Sequence, residues 1–234
     1  MNIQVGTSGY NYAEWKGTFY PADLSAAKML PYYSARFGTV EINATFYRMP
    51  TAKTLAGWDA ATPEGFVLAL KAPQRITHFA RLRGVDEPLR FFCDVARTLG
   101  PKLGPLLFQL PPNFKKDTDR LAETLFLLPP DLRCVFEFRH DSWLADDVYD
   151  LLRRRNAALC IADSEAMSTP LVATADFGYL RLRDEGYTDA GLGRWAETIS
   201  GLGQSWGEAF VYFKHEEAGT GPAFARRLTE LMGA

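Results

Sequence analysis

Residues 135–143 read VFEFRHDSW, and how this stretch is read decides the fold. Val135, Phe136 and Phe138 make a segment fit for burial, yet Glu137 and Arg139 take alternate positions among them. A charge moved out of water is costly unless a partner or a ligand meets it. The same pattern recurs in TVEINATFY, residues 39–47, where Glu41 and Asn43 alternate with Val40 and Ile42. Side chains of a strand point alternately to its two faces. Each segment therefore has one face that stays apolar and one that turns polar toward its C-terminal end.

Outward from 133–139, short β-type runs alternate with helix-type runs along the whole chain. Strands are expected at 3–7, 39–43, 65–71, 104–110, 133–139, 157–163, 177–183 and 208–214. Helices are expected at 25–37 with Ser25 as N-cap, and at about 51–61, 86–99, 121–128, 144–154 and 192–202, with a last one striped by Phe224, Leu228, Leu231 and Met232. The spacing of Leu89, Phe92, Cys93, Ala96 and Leu99 is helical, and Gly100-Pro101 ends it. Residues 164–176, SEAMSTPLVATAD, break the rhythm and form an irregular unit after strand six. Strands alternating with helices imply a parallel sheet. Eight such units in 234 residues predict an α/β protein with a (β/α)8 TIM-type barrel, near the lower end of that fold's size range, in a single domain over 1–234. The rival is an open doubly wound sheet.

In a barrel, one strand face meets the helices and the other fills the interior. Taking the face with polar C-terminal residues as inward places Glu41 and Asn43 on strand two. Strand three contributes Val67, Ala69 and Lys71, strand four Leu107 and Gln109, and strand five Val135, Glu137 and Arg139. Strand six contributes Leu159, Ile161 and Asp163, and strand seven Tyr179, Arg181 and Arg183. Active sites of such barrels lie at the C-terminal strand ends. Three carboxylates (Glu41, Glu137, Asp163) then face four cations (Lys71, Arg139, Arg181, Arg183), and the excess of one positive charge suits an anionic ligand. A self-satisfied salt-bridge network inside the barrel is the competing structural explanation.

Composition narrows the classes. The formal net charge is −2, which excludes a global basic field for nucleic acid or anionic lipid. The three cysteines, Cys93, Cys134 and Cys160, lie far apart among apolar neighbours and read as buried thiols of a reducing compartment. The N-terminus MNIQVGTSGY does not read as a secretory signal, and no apolar run is long enough to span a membrane. A cytoplasmic location is expected, with no membrane partner. No zinc spacing, phosphate-binding glycine loop or G-x-S-x-G elbow is present. Glu41, Glu137, Asp163 and one histidine offer oxygen-rich ligation for a divalent metal, but four basic residues at the same mouth oppose it, so no metal and no cofactor is called for. GTSGYNY, residues 6–12, offers Ser8 and Tyr10 as donors to a ligand, or merely a tight turn. Arg75, His78, Arg81 and Arg83 follow Lys71 in a basic loop, either solvated or touching phosphate. His215 and Glu216 end strand eight with their direction open.

The stretches GTSGYNYAEWKGTFYP, FGTVEINATFYRMP, WDAATPEGFVLALKAPQRITH, LGPLLFQLPPNF, VFEFRHDSW, ADS and YLRLR, in this order, resemble the YecE-like family, domain-of-unknown-function family 72. The resemblance implies a TIM-type barrel and brings no established reaction. The chain departs from the family pattern at Arg183-Asp184 and at Lys214-His215-Glu216. The residues themselves point to an enzyme of open reaction class, a hydrolase, isomerase or lyase. It would act by acid–base chemistry on a small anionic or polyhydroxylated substrate, possible phosphate-containing ligands included. Glu137, Glu41 and Lys71 are the catalytic candidates. Arg139, Arg181, Asn43, Gln109, Tyr47, Asp163, Tyr10, Ser8 and His78 are the substrate-binding ones. The alternative is a non-catalytic binder of nucleic acid or a phosphometabolite through the basic loop 71–83. Oligomeric state is left open.

Overall fold

The computed structural model describes residues 1–163, 168–184 and 186–233. Eight strands run β1 Asn2–Thr7, β2 Thr39–Ile42, β3 Val67–Lys71, β4 Leu103–Gln109, β5 Cys134–Glu137, β6 Ala158–Ala162, β7 Phe177–Leu182 and β8 Glu208–Phe213. The helices are α1 Ala26–Ser34, a one-turn α2 Ala44–Tyr47, α3 Ala52–Ala60, α4 Asp86–Ala96, α5 Thr118–Leu127, α6 Asp146–Arg154, α7 Asp189–Leu202 and α8 Thr220–Met232. All neighbouring strands pair in parallel, in the order β1-β8-β7-β6-β5-β4-β3-β2. The ends of that order meet at a bridge between Ser8 and Glu41, where the Gly9 amide donates to the Glu41 carbonyl at 2.8 Å. The α/β fold is thus a TIM-type barrel, nearly closed.

The β1–β2 seam lacks a full ladder, and α1 supplies what is missing. The Tyr33 hydroxyl accepts from the Thr7 amide at 2.8 Å and donates to the Thr39 carbonyl at 3.1 Å, stapling the two strands. Gly6 lies so near this seam that a Cβ there would sit 2.3 Å from the Thr39 carbonyl oxygen. Around Tyr33, the aromatic rings of Phe19, Tyr20, Tyr32 and Phe37 pack edge-on or tilted. Ser25 does stand at the start of α1, but its side chain makes no capping hydrogen bond. The Thr51 side chain does cap α3, accepting from the Thr54 amide at 3.2 Å.

Two apolar layers result. The larger lies between strands and helices, and the α4 stripe of Leu89, Phe92, Cys93 and Ala96 is fully in it. The smaller fills the barrel with Ala69, Leu107, Val135, Ala158, Cys160, Phe177, Tyr179, Phe210 and Tyr212. Strand six is out of phase with the expectation: Leu159 and Ile161 belong to the outer layer, while Ala158, Cys160 and Ala162 face inward. Both faces of β6 are apolar, so polarity offers no contrast to fix the phase. Asp163, which suggested it, lies one residue past the strand end. The Tyr179 and Tyr212 rings share this inner layer with the small β6 residues, their centroids 5.2 Å apart.

Of the irregular unit 164–176, residues 164–167 lie outside the described residues. No helix is present over 168–176. Thr174 ties this segment to β6, accepting from the Leu159 amide at 2.8 Å and donating to the Ala157 carbonyl at 2.7 Å. Among the described residues no helix is long and apolar enough to cross a membrane.

Candidate functional site

The charged residues of β2, β5 and β7 meet at the C-terminal end of the barrel because each follows a buried inward residue, Thr39, Val135 or Tyr179, by two positions. Arg181 is 1% exposed and lies between Glu41 and Glu137, both fully buried. Its Nη2 and Nε donate to Glu41 Oε1 at 2.9 and 3.2 Å, and its Nη1 donates to Glu137 Oε2 at 2.5 Å. Each carboxylate has further partners. Glu41 accepts from the Tyr179 hydroxyl at 2.6 Å and from the Ser8 hydroxyl. Glu137 pairs with Arg139 and accepts from Gln109 Nε2 at 3.2 Å. Ser8 Oγ also accepts from Arg181 Nη2 at 3.1 Å and from Asn43 Nδ2 at 2.8 Å.

Burial alone would raise the pKa of Glu137, but Arg181, Arg139 and Lys71 overcome it and bring it down to about 2. Burial alone would lower that of Arg181, and the two carboxylates hold it above its ordinary value. The three side chains form a buried ion triad, one guanidinium between two carboxylates. A carboxylate of pKa about 2 is a weak base.

Lys71 stands at the end of β3. It is 9% exposed, and its Nζ lies 4.0 Å from the centroid of the Phe46 ring. Among the described residues its ammonium forms no ion pair within 4.0 Å. Burial first, and the charge of Arg181 second, lower its pKa to about 7; Glu137 and Glu41 offset only part of this. Half-buried Arg139, Arg183 and Lys214 complete the rim. Arg183 and Lys214 both have lowered pKa values, through burial and then through neighbouring cations: Arg139 and Arg181 for Arg183, Arg183 and Arg181 for Lys214. Five cations thus gather round two buried carboxylates, with exposed Glu216 standing 3.9 Å from Lys214.

Several expected residues lie elsewhere. Asp163 is not part of the triad, contrary to the inward phase read for strand six. It accepts from the Arg183 amide at 2.7 Å and from the Tyr187 hydroxyl, so it shapes the β7 loop. Tyr10 turns toward the helix layer and packs on Tyr33, with ring centroids 6.5 Å apart. Its neighbour Tyr12 is the one coupled electrically to Glu41 and Arg181, and its hydroxyl donates to the Ser8 carbonyl at 2.7 Å. Tyr47 is 74% exposed on the outer lip, while Phe46 faces Lys71. His78 stands edge-on to Phe46 at 4.8 Å, and burial, then Lys71 and Arg139, lower its pKa below the ordinary histidine value.

His215 points away from the mouth, packing on Phe224 of α8 and bonding the Asp184 carbonyl through Nε2 at 2.7 Å. Lys214, which the sequence left undirected, is therefore the inward residue, as alternation from Tyr212 requires. The basic loop contains a wide helical turn, Arg75–Phe79, which borders a groove of about 500 Å³ with Phe46, Tyr47 and Phe91. Among the described residues no three His, Cys, Asp or Glu side chains converge as a metal ion would require. The three thiols are free and buried.

The family model described as "Protein of unknown function DUF72" matches residues 4–234. The UPF0759 protein YunF of Bacillus subtilis is 30% identical over 156 residues, which are 63% of this chain and 54% of that protein. The UPF0759 protein YecE of Escherichia coli is 31% identical over 114 residues, 48% of this chain and 42% of that protein. The chain thus spans about half the length of the curated relatives it matches. A solved DUF72 family protein from Thermotoga maritima superposes with a TM-score of 0.85 at 24% identity, covering 100% of both chains. One from Enterococcus faecalis gives 0.83 at 17% identity, covering 99% and 96%. At these identities the likeness establishes the barrel.

Proposed function

This chain belongs to the DUF72 family of proteins of unknown function, matched over all but its first three residues, and from that premise we propose that its barrel mouth is the active site of an enzyme acting by acid–base chemistry on a small anionic substrate. One observation carries this reading: Glu41, Arg181, Glu137 and Arg139 already satisfy one another, so among the described residues Lys71 and Arg183, together with Lys214 at 3.9 Å from exposed Glu216, present positive charge beyond what the barrel itself uses. A purely structural salt-bridge network has no need of that surplus. Lys71 is the group whose proton is exchangeable near neutral pH, while Glu41 and Glu137 fix Arg181. Asn43, Gln109 and Ser8 hold the carboxylates in place, and His78 and Tyr12 flank the opening.

Thermal shift with inorganic phosphate and small dicarboxylates tests the reading. Binding should raise Tm in the wild type. The Arg183→Gln, Lys214→Gln double variant, which leaves the triad whole, should lose the shift. No shift with any anion, or an equal shift in the double variant, would remove the site.

A second reading keeps the basic loop as a nucleic-acid contact, because Phe79 and Tyr47, each 74% exposed, stand beside Arg75 and Arg48 as stacking surfaces next to cations. Anisotropy with a labelled single-stranded oligonucleotide should then show affinity that falls with salt and drops in Phe79→Ala. Salt-independent or absent binding excludes it.

A further inference from the structure

We propose that Lys71 is an amine nucleophile that condenses with the carbonyl carbon of a small anionic carbonyl compound, such as a 2-oxo acid or a phosphorylated aldehyde or ketone. The inference rests on reading the mouth as an anion site. It goes further by naming a covalent step and the functional group that undergoes it.

Three features of the geometry lead there. Lys71 lies at the C-terminal tip of β3, at the opening toward which the barrel cations converge, and it keeps 9% of its surface in solvent. Its Nζ rests on the face of Phe46 at 4.0 Å, and among the described residues no carboxylate pairs with it. Lys214, whose charge reaches Lys71, and Arg183, whose charge reaches Lys214, are available to hold an anionic group at this mouth. An amine becomes nucleophilic when burial and neighbouring cations strip its proton. Lys71 meets both conditions, and its pKa of about 7 leaves much of it neutral at physiological pH.

The step balances without any oxidant or reductant. The Nζ lone pair forms a nitrogen–carbon bond as the carbonyl electrons move onto oxygen, and that oxygen takes a proton from the amine. The resulting carbinolamine takes up one solvent proton and loses one water, which leaves a protonated imine. Glu137 and Glu41, both within electrostatic reach of Lys71, stabilise that new cation. They thereby offset the repulsion of Arg181 at the stage when the charge returns.

The test traps the imine. The protein is incubated at pH 7 with glyoxylate and sodium cyanoborohydride, whose hydride reduces the imine carbon and leaves a stable carboxymethyl group on nitrogen. The chain has eight lysines, so peptide mapping by mass spectrometry compares Lys71 with seven internal controls. Lys71 should be modified about tenfold faster or more than the surface lysines Lys16, Lys28 and Lys53, because far more of its amine is unprotonated. Lys71→Arg, which keeps the cation and removes the nucleophile, should abolish the fast phase. Modification of Lys71 no faster than of the surface lysines would overturn the proposal, as would a fast phase that survives in Lys71→Arg.

Propionaldehyde serves as the neutral probe. If it labels Lys71 as fast as glyoxylate does, the anionic substrate class is wrong although the amine assignment stands. A phosphate thermal shift without preferential labelling separates the other way: the anion site holds and the covalent step fails.

Discussion

Arg181 is bound on both sides, and that fixes what substitutions there do. Removing one partner of a buried ion pair leaves the other charge uncompensated, at about 3–5 kcal/mol. Glu137→Gln should therefore lower the stability measured by urea unfolding by about that amount, in addition to any effect on turnover. Lys71 behaves oppositely. Its pKa in the folded state, about 7, lies below the value of an unfolded lysine, so the folded protein is penalised for carrying the charge. The unfolded state binds more protons between the two values, so stability rises with pH through that window, from about 7 to about 10. Lys71→Met should be more stable than the wild type at pH 6, by up to about 5 kcal/mol, with the gap closing by pH 10. A constant gap across that range in urea titrations would show that Lys71 titrates normally. None of this was legible from one residue: Glu137 and Arg139 announced that a charge was buried, but their sequence neighbours do not include Arg181, which lies 44 positions from Glu137.

At the scale of elements, helices were readable because one face of each meets water and the other does not. The α4 stripe appears in the core as its spacing required. Strands were readable in position, and readable in phase only where polarity alternated. β2, β5 and β7 carry that contrast; β6, apolar on both faces, does not, and its phase was read one residue off. The β1–β2 seam was equally invisible, since it depends on a tyrosine of α1. Tyr33→Phe removes the acceptor of the buried Thr7 amide and should cost about 1–3 kcal/mol in thermal or urea unfolding. Gly6→Ala places a Cβ against the Thr39 carbonyl and should be more damaging than Tyr33→Phe, because backbone must move to relieve it. The reverse order would mean that the strands are not pressed together at this seam.

Over the whole molecule, a net charge of −2 conceals a barrel mouth of opposite sign. Its residues come from chain positions as far apart as Ser8 and Arg181, joined directly at 3.1 Å. Acid unfolding reports on this convergence. Glu137 has a folded pKa of about 2, below the unfolded carboxylate value, so its contribution is present above that unfolded value and is lost as pH falls from about 4 to about 2. The stability difference between wild type and Glu137→Gln should shrink over the same window, measured by urea unfolding at stepped pH. A difference unchanged down to pH 2 would show that Glu137 is not held ionised by the arginines.

The sequence by itself determined the eight-fold alternation of strand and helix, the barrel it implies, and the polarity of the strand tips, because those follow from periodicities that each segment carries within a few residues. Only the tertiary structure decided which charges neutralise one another and which remain available. It joined Arg181 to both glutamates, turned Asp163 and Tyr10 away, brought Lys214 in, and left Lys71 against an aromatic face. Pairing across a closed barrel depends on strand register and stagger, which bring together residues that no local pattern relates.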